Sequence, residues 1–226
     1  MASPKQKQDL LARKRILIVD DHAVLREGLV AQIDREPDLV VCGEAADARQ
    51  ALAGVEKLEP DLVLADITLP GRNGLELIRD LRALRPGLPV LVLSMHDESL
   101  FAERVLRAGG RGYVSKQQGG QRLIEAIRRV LSGKICVSED VSTKMFDALS
   151  GRAPAKTLSP VEQLTDRELE VFTLIGQAKE TKEISRQLGM SVKTVEAHRA
   201  SIKRKLKLKT GPELNRHAVL WVEAVK

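Results

Sequence analysis

Five polar residues end or follow short apolar runs in the first half of this 226-residue chain: Asp20, Asp21, Asp66, Ser94 and Lys116. If those runs are parallel strands, their carboxyl ends meet at one edge of a sheet, where such sheets bind ligands. Three carboxylates there would repel one another without a cation, and an all-oxygen ligand set favours Mg²⁺. With a lysine and a hydroxyl, such an ion suits phosphoryl transfer to a carboxylate. Each residue alone also fits a helix cap or a solvated side chain; the combination favours chemistry.

The apolar runs that must position these residues alternate with helical patterns. Strands are predicted at 16–19, 39–41, 62–64, 90–93 and 113–114. Four of the runs are continuously apolar, as expected when helices cover both faces of a parallel sheet. Apolar residues at three- and four-residue spacing predict helices at about 24–34, 47–58, 75–84, 100–108 and 121–131. The alternation predicts a doubly wound α/β domain with five parallel strands.

Four short motifs in this region resemble, in order, the signatures of response-regulator receiver domains. They are IVDDH at 18–22, LADITLPG at 64–71, LS at 93–94 and YVSK at 113–116. The resemblance covers about residues 15–133 and implies a flavodoxin-like fold. It also implies an autocatalytic domain rather than an enzyme acting on an external substrate: the receiver would catalyse only its own phosphoryl transfer and dephosphorylation.

The same resemblance assigns a role to each pocket residue. Asp66 would be the phosphoacceptor, and Mg²⁺ would be held by Asp20, Asp21, Asp66 and the backbone carbonyl of Thr68. Ser94 and Lys116 would contact the phosphoryl group. Tyr113 is similar to the family's switch aromatic, which turns inward with Ser94, although a partly buried aromatic on an edge strand is an equal alternative. Lys116 is followed by Gln117, where many receivers have proline, so a cis peptide bond is less expected.

Composition divides the chain into four segments: a basic tail at 1–14, the receiver at 15–133, a linker at 134–159 and a helical domain at 160–226. Gly151 and Pro154 lie in the most flexible part of the predicted linker. The net charge is −4 over residues 16–150 and +4 over residues 160–226. An acidic domain followed by a basic one indicates that the second contacts nucleic acid.

The basic half has the pattern of a helix-turn-helix over Thr181 to Ala200. Thr165 and Glu168 form a capping box before the first helix of the domain, Ser191 can cap the later helix, and Gly189 separates the two helices of the motif. On that later helix a buried stripe is predicted at Val195, Ile202 and Leu206. The opposite face carries Lys193, Ala197, Ala200 and Arg204, flanked by Glu196 and Lys207. Small residues with flanking cations suit a major groove.

The segment from about 160 to 225 resembles the LuxR-type DNA-binding domain, through LTDRELEV at 164–171, KEI at 182–184, Ser191, KTV at 193–195, HR at 198–199 and KL at 205–206. With a receiver, it is similar to the NarL/FixJ class of transcription regulators. The resemblance implies base-facing positions at Glu196, Ala197 and Ala200, and phosphate contacts from Lys182, Lys193, Thr194 and Lys203. Arg204 joins them on the same face. Family members often have lysine at the position of Glu196, whereas a carboxylate there can accept from a cytosine amine. His198 is predicted to pack within the domain and also to reach the DNA backbone.

The predicted partners follow from these assignments: a sensor histidine kinase, promoter DNA with paired half-sites, and a second copy of the chain once phosphorylated. Leu214, Ala218 and Val222 form a stripe that fits either a dimer contact or packing within the domain. No apolar stretch is long enough for a membrane span, and Cys42 and Cys136 are expected to be core filler in a cytoplasmic protein.

Three other functions compete with a phosphorylation-controlled transcription regulator. A haloacid-dehalogenase-type phosphohydrolase needs a second carboxylate at the position of Thr68. A phosphorelay intermediate would use its helical domain to bind a protein instead of DNA. A small-molecule-sensing LuxR regulator is disfavoured by the acidic pocket.

Overall fold

The computed structural model describes residues 13–95, 98–150 and 160–225. Two compact units are present, Met1–Val137 and Ser138–Lys226. Most of the predicted basic tail and the Gly151–Pro154 part of the predicted linker lie outside the described residues. Among the described residues no peptide bond is cis. No helix in the ranges searched is long and apolar enough to cross a bilayer.

The first unit is the predicted five-stranded parallel sheet, with strand order β2-β1-β3-β4-β5. Its strands are β1 (Lys14–Val19), β2 (Leu39–Ala45), β3 (Leu62–Ala65), β4 (Val90–Ser94) and β5 (Gly112–Ser115). Its helices are α1 (Ala23–Ile33), α2 (Ala48–Leu58), α3 (Gly74–Leu84), α4 (Glu98–Ala108) and α5 (Gly120–Leu131). The five strands and five helices are confirmed, with ends shifted by a few residues.

Continuous apolar strands explain why the sheet is covered on both sides. One core cluster joins alternate strand residues such as Ile16, Ile18 and Leu64 to buried residues of α1 and α5. The intervening residues Leu17 and Val63 are also fully buried, and they belong to the other face, where Gly54 of α2 packs on Leu17. The central strands β1, β3 and β4 therefore carry apolar side chains in both directions.

The second unit contains four helices of the predicted DNA-binding domain and one helix that was not predicted. The four are α7 (Asp166–Gly176), α8 (Thr181–Gln187), α9 (Val192–Lys205) and α10 (Gly211–Val225), and a 3-10 turn (Pro160–Gln163) precedes α7. The unpredicted helix is α6 (Glu139–Leu149), within the segment assigned to the linker. Ser138 caps it by accepting a hydrogen bond from the Val141 amide.

The signals that divide the helices of the second unit are confirmed. Thr165 and Glu168 form the predicted capping box, and the Ser191 hydroxyl accepts from the Thr194 amide at 3.0 Å. Gly189 has a φ of 60°, in the left-handed region that favours glycine, and thereby permits the tight turn between α8 and α9. Val195 and Ile202 are fully buried and Leu206 is 8% exposed, so the predicted stripe of α9 faces the core of the domain.

The apolar stripe on α10 serves its own domain. Leu214 and Ala218 are fully buried and Val222 is 8% exposed. A Cβ on Gly176 of α7 would lie 2.5 Å from the Ala218 carbonyl oxygen, so the two helices approach closely there. Phe172 of α7 also stacks at a tilt on Trp221, with ring centroids 5.3 Å apart. Of the two uses predicted for this stripe, the dimer contact is therefore wrong for these three residues.

Candidate phosphoacceptor pocket and nucleic-acid interface

The carboxyl edge of the sheet brings the predicted carboxylates together. Asp20 follows β1 and Asp66 follows β3, and both are nearly fully buried, at 2% and 4% exposure. Asp21, beside Asp20, is 29% exposed at its side chain. Ligand atoms of these three residues and of His22 all lie within 4.8 Å of one another. The group could hold a metal ion.

Lys116 supplies the positive charge of this pocket. Its Nζ donates to Asp20 Oδ2 and to Asp66 Oδ2, both at 2.6 Å, and its side chain is only 5% exposed. Desolvation would lower the pKa of Lys116, but the two carboxylates outweigh it and raise that pKa, so the amine stays charged. Burial raises the pKa of Asp66 although Lys116 opposes it. Three carboxylates against one amine leave an excess of negative charge, which suits a further cation.

The other predicted pocket residues, Ser94, Thr68 and Tyr113, also lie on or next to the strands that form the sheet. Ser94 ends β4 and is fully buried, and its carbonyl accepts from the Lys116 amide at 2.8 Å. The Thr68 amide donates to Asp66 Oδ1 at 3.1 Å. A Cβ on Gly74, the first residue of α3, would lie 2.5 Å from the Asp66 carbonyl oxygen, so glycine is needed for α3 to begin beside the acceptor loop. Tyr113 of β5 is 3% exposed, and the side chain is therefore inward.

Two neighbours of the pocket were not predicted as site residues. His22 Nδ1 lies 2.9 Å from Asp21 Oδ1 and 3.1 Å from Asp20 Oδ1, so the pocket contains an imidazole as well as oxygens. Arg26 of α1 donates from Nη1 to the Asp20 carbonyl at 2.6 Å. Side chains lean toward the N-terminus of their helix, so a long cation in the first turns of α1 reaches back to the end of β1.

In the second unit the predicted DNA-binding face is exposed. Seven of the eight residues assigned to DNA are exposed and the eighth, Lys203, is half-buried; the seven are Lys182, Lys193, Thr194, Glu196, Ala197, Ala200 and Arg204. The Thr194 hydroxyl lies 2.8 Å from the Ser191 hydroxyl. His198 is half-buried; desolvation lowers its pKa although Glu168 opposes this, in keeping with the predicted packing role.

A groove beside that face contains the predicted Lys182 and adds two cations that were not predicted as DNA contacts, Lys179 and Arg199. Its lining residues come from the end of α7, the turn before α8, and helices α8, α9 and α10, and they include Lys179, Lys182, Arg199 and Asn215. Spacing on the α9 helix alone does not reveal the groove, because several separate elements line it. The groove lies within the second unit and extends the positive surface around the exposed end of α9.

Two family models match the chain. The response regulator receiver domain matches residues 16–128, and the family described as bacterial regulatory proteins, luxR family, matches residues 162–218. Among curated proteins, the oxygen regulatory protein NreC of Staphylococcus aureus is 37% identical over 209 residues, which cover 91% of this chain and 96% of that protein.

Solved structures agree with these matches. A two-component response regulator of the LuxR family from Aurantimonas sp. SI85-9A1 is 36% identical with a TM-score of 0.57, and the similarity covers 61% of this chain and 99% of that one. RcsB from Salmonella enterica serovar Typhimurium, bound to the promoter rprA with phosphomimetic BeF3-, has a TM-score of 0.61. At 24% identity over 92% of this chain and 98% of RcsB, that likeness concerns the fold.

Proposed function

The chain belongs to the response regulators that join a receiver domain to a LuxR-type DNA-binding domain, and we propose that phosphorylation of Asp66 switches its binding to promoter DNA. The observation that carries the proposal is Lys116, whose buried amine bridges Asp20 and Asp66 at 2.6 Å each. When Asp66 carries a phosphoryl group, this buried amine is in place to pair with the phosphoryl oxygens.

In the proposed reaction a carboxylate oxygen of Asp66 attacks the phosphorus of a phosphohistidine on a sensor histidine kinase. The new O–P bond forms as the P–N bond breaks, and the imidazole leaves. Lys116 stays charged and pairs with the phosphoryl oxygens, and the Ser94 hydroxyl donates to one of them. The protein would act on no other substrate, and would catalyse only this transfer and the later hydrolysis of its own aspartyl phosphate.

Mg²⁺ is the cofactor that the pocket fits. Asp20, Asp21, Asp66 and the Thr68 carbonyl would hold it, since hard oxygen donors match its preference. When bound, the ion would neutralise charge on the phosphoryl oxygens. The excess negative charge of the pocket supports a divalent cation. His22 adds a nitrogen at the exposed side, but the oxygen donors suffice without it.

The output of the proposed switch is the exposed face of α9. Ala197 and Ala200 allow close approach to a major groove, and the surrounding cations suit phosphate contacts. One recognition helix covers one half-site, so a phosphorylated homodimer on paired half-sites is the expected DNA-bound form. The relatives RcsB and NreC are regulators by name, which supports this output. Both the kinase and the promoter would be met in the cytoplasm.

Phosphoryl labelling tests the proposal. Acetyl phosphate with Mg²⁺ should label the wild-type chain with an acid-stable, hydroxylamine-sensitive phosphoryl group, and Asp66→Asn should abolish that label, because an amide cannot serve as the acceptor. Asp80→Asn is the matched control, since the partner of Asp80 among the described residues is Arg72, in an ion pair at the surface. Undiminished labelling of Asp66→Asn would show that the acceptor is another residue.

A further inference from the structure

A chain of polar contacts crosses the exposed end of the helix-turn-helix. The Thr181 hydroxyl, at the start of α8, donates to Glu196 Oε1 of α9 at 2.9 Å. Arg199 Nε lies 3.8 Å from the same oxygen. Arg199 Nη2 in turn donates to Asn215 Oδ1 of α10 at 3.1 Å. Three helices therefore contribute to the surroundings of one exposed carboxylate.

These contacts hold Glu196 in one orientation while leaving it accessible. Its side chain is 57% exposed, whereas that of Arg199 is 15% exposed. Both contacts engage Oε1, and the structure shows no hydrogen bond or ion pair from a described residue to Oε2. An unconstrained glutamate would lose side-chain rotamer freedom when it binds a ligand. Because Thr181 and Arg199 already restrict it, that cost is reduced and Oε2 is presented outward as an acceptor.

The position of this acceptor is unfavourable for general DNA attraction. A carboxylate repels phosphates, although Arg199 Nε lies 3.8 Å from Glu196 Oε1 and Lys193 is one helical turn away on α9. The contribution of Glu196 to binding must therefore come from a donor on the ligand, because an ionised carboxylate only accepts hydrogen bonds. In the major groove the donors are the N4 amine of cytosine and the N6 amine of adenine, whereas guanine and thymine present acceptors at O6, N7 and O4.

We propose that Glu196 is a specificity-determining residue that selects an amino-bearing base, cytosine foremost, and rejects guanine and thymine at one position of each half-site. Thr181 is its positioning residue and touches no base itself. Guanine and thymine are rejected because their acceptor oxygens face Oε2 without a proton between them. The inference rests on the proposed DNA binding and adds to it the sequence feature that the protein recognises.

Selection from random DNA tests this assignment. The full chain, with and without Mg²⁺ and beryllofluoride, selects duplexes from a library with a randomised window of about 20 base pairs, two helical turns. The enriched sites should contain a conserved cytosine or adenine in each half-site. Replacing that base pair so that guanine or thymine faces the helix should weaken wild-type binding by about tenfold. Glu196→Gln should lose this discrimination, since its amide both donates and accepts.

Two substitutions at Thr181 separate positioning from structure. Thr181→Val removes the hydroxyl and keeps the β-branched shape, and it should reduce the discrimination at the same base pair while leaving binding to non-selected DNA and its salt dependence unchanged. Thr181→Ser keeps the hydroxyl and should retain wild-type discrimination. Thermal melting of each variant checks that the domain is folded.

The outcomes distinguish this inference from the function on which it rests. An unchanged base preference in Glu196→Gln, with binding retained, would overturn the role of Glu196 and leave DNA binding intact. Equal discrimination by Thr181→Val and Thr181→Ser would overturn the positioning role. A wild-type chain that enriches no sequence and retards no duplex would overturn the proposed function itself.

Discussion

At the scale of single residues, the acidic pocket is governed by the balance of charge. Asp20 and Asp66 both form an ion pair with Lys116, so neither buried carboxylate lacks a counter-charge. Asp21 differs: it is more exposed, and its partner is the imidazole of His22 at 2.9 Å rather than Lys116. Removal of Asp21 should therefore leave the ion pairs of Lys116 with Asp20 and Asp66 intact. Its main effect should be on the binding of a cation.

We expect Asp21→Ala to weaken Mg²⁺ binding to the unphosphorylated protein by about tenfold or more, because one of the hard oxygen donors is lost. Calorimetric titration with Mg²⁺ measures the change in affinity. Glu27→Ala is the control, since Glu27 is an exposed carboxylate on α1, and its affinity should match the wild type. Identical Mg²⁺ titrations for Asp21→Ala and the wild type would argue against this pocket as the metal site.

The pocket residues at strand ends could be predicted from the sequence, whereas those that reach the pocket from a helix could not. Asp20, Asp66, Ser94 and Lys116 could be placed together because each ends or follows an apolar run, and parallel strands share an edge. Arg26 could not, because it sits on α1 and reaches the pocket only through the tilt of its side chain. The Thr181–Glu196 contact joins two helices whose relative placement no periodicity specifies.

At the scale of elements, Glu168 joins the start of α7 to α9. It accepts from the Thr165 amide at 2.7 Å as part of the capping box. It also accepts from the Ser201 hydroxyl at 2.7 Å and from Lys205 Nζ at 2.6 Å. Burial would raise the pKa of Glu168, but these three donors outweigh it and lower the pKa to about 2. One carboxylate thus caps one helix and fixes the recognition helix against it.

We expect Glu168→Gln to lower the free energy of unfolding of the second unit by about 2 kcal/mol at neutral pH, since hydrogen bonds to a charged group are lost. The stabilisation is complete above the ordinary glutamate pKa near 4.5 and is lost as pH falls toward 2. The variant and the wild type should therefore converge in acid. Urea unfolding, followed by fluorescence of Trp221, the only tryptophan, reports on this unit.

Glu213→Gln provides the control for that experiment. Glu213 is exposed and accepts from the Lys209 amide alone at 2.7 Å among the described contacts, so its replacement should cost well under half as much. A Glu168→Gln protein as stable as the wild type at pH 7 would contradict the role of Glu168 as a link between α7 and α9.

Elements were predictable where strands and helices alternate or where a helix start is marked, and one helix beyond the alternation was missed. The five apolar runs predicted the strands, and the capping box predicted the start of α7. Helix α6 was missed because the strand–helix alternation ends at Leu131 and the next segment was assigned to the linker. The signal was nevertheless present: Ser138 is an N-cap residue, and Glu139 and Asp140 in the first turn favour the helix dipole.

At the scale of the whole molecule, residues 16–150 carry a net charge of −4 and residues 160–226 carry +4, and the two units have different chemistry. The proposed communication between the units is a change in association. The stripe of Leu214, Ala218 and Val222 is occupied within its own domain and does not supply a dimer surface. Recognition of DNA by α9 alone is limited to one half-site. A second copy would double the phosphate contacts and lengthen the recognised sequence.

We expect phosphorylation to promote dimerisation and thereby to tighten DNA binding. Coupling requires the phosphorylated pocket to favour the dimer by a few kcal/mol, which corresponds to a shift of about a hundredfold in the dimer dissociation constant. Sedimentation with and without Mg²⁺ and beryllofluoride measures that shift, with Asp66→Asn as the control that should stay monomeric in both conditions. Footprinting on a selected site should show two protected half-sites about one helical turn apart with beryllofluoride. A wild-type chain that is monomeric in both conditions and protects one half-site with unchanged affinity would exclude dimerisation as the switch, while DNA binding itself would stand.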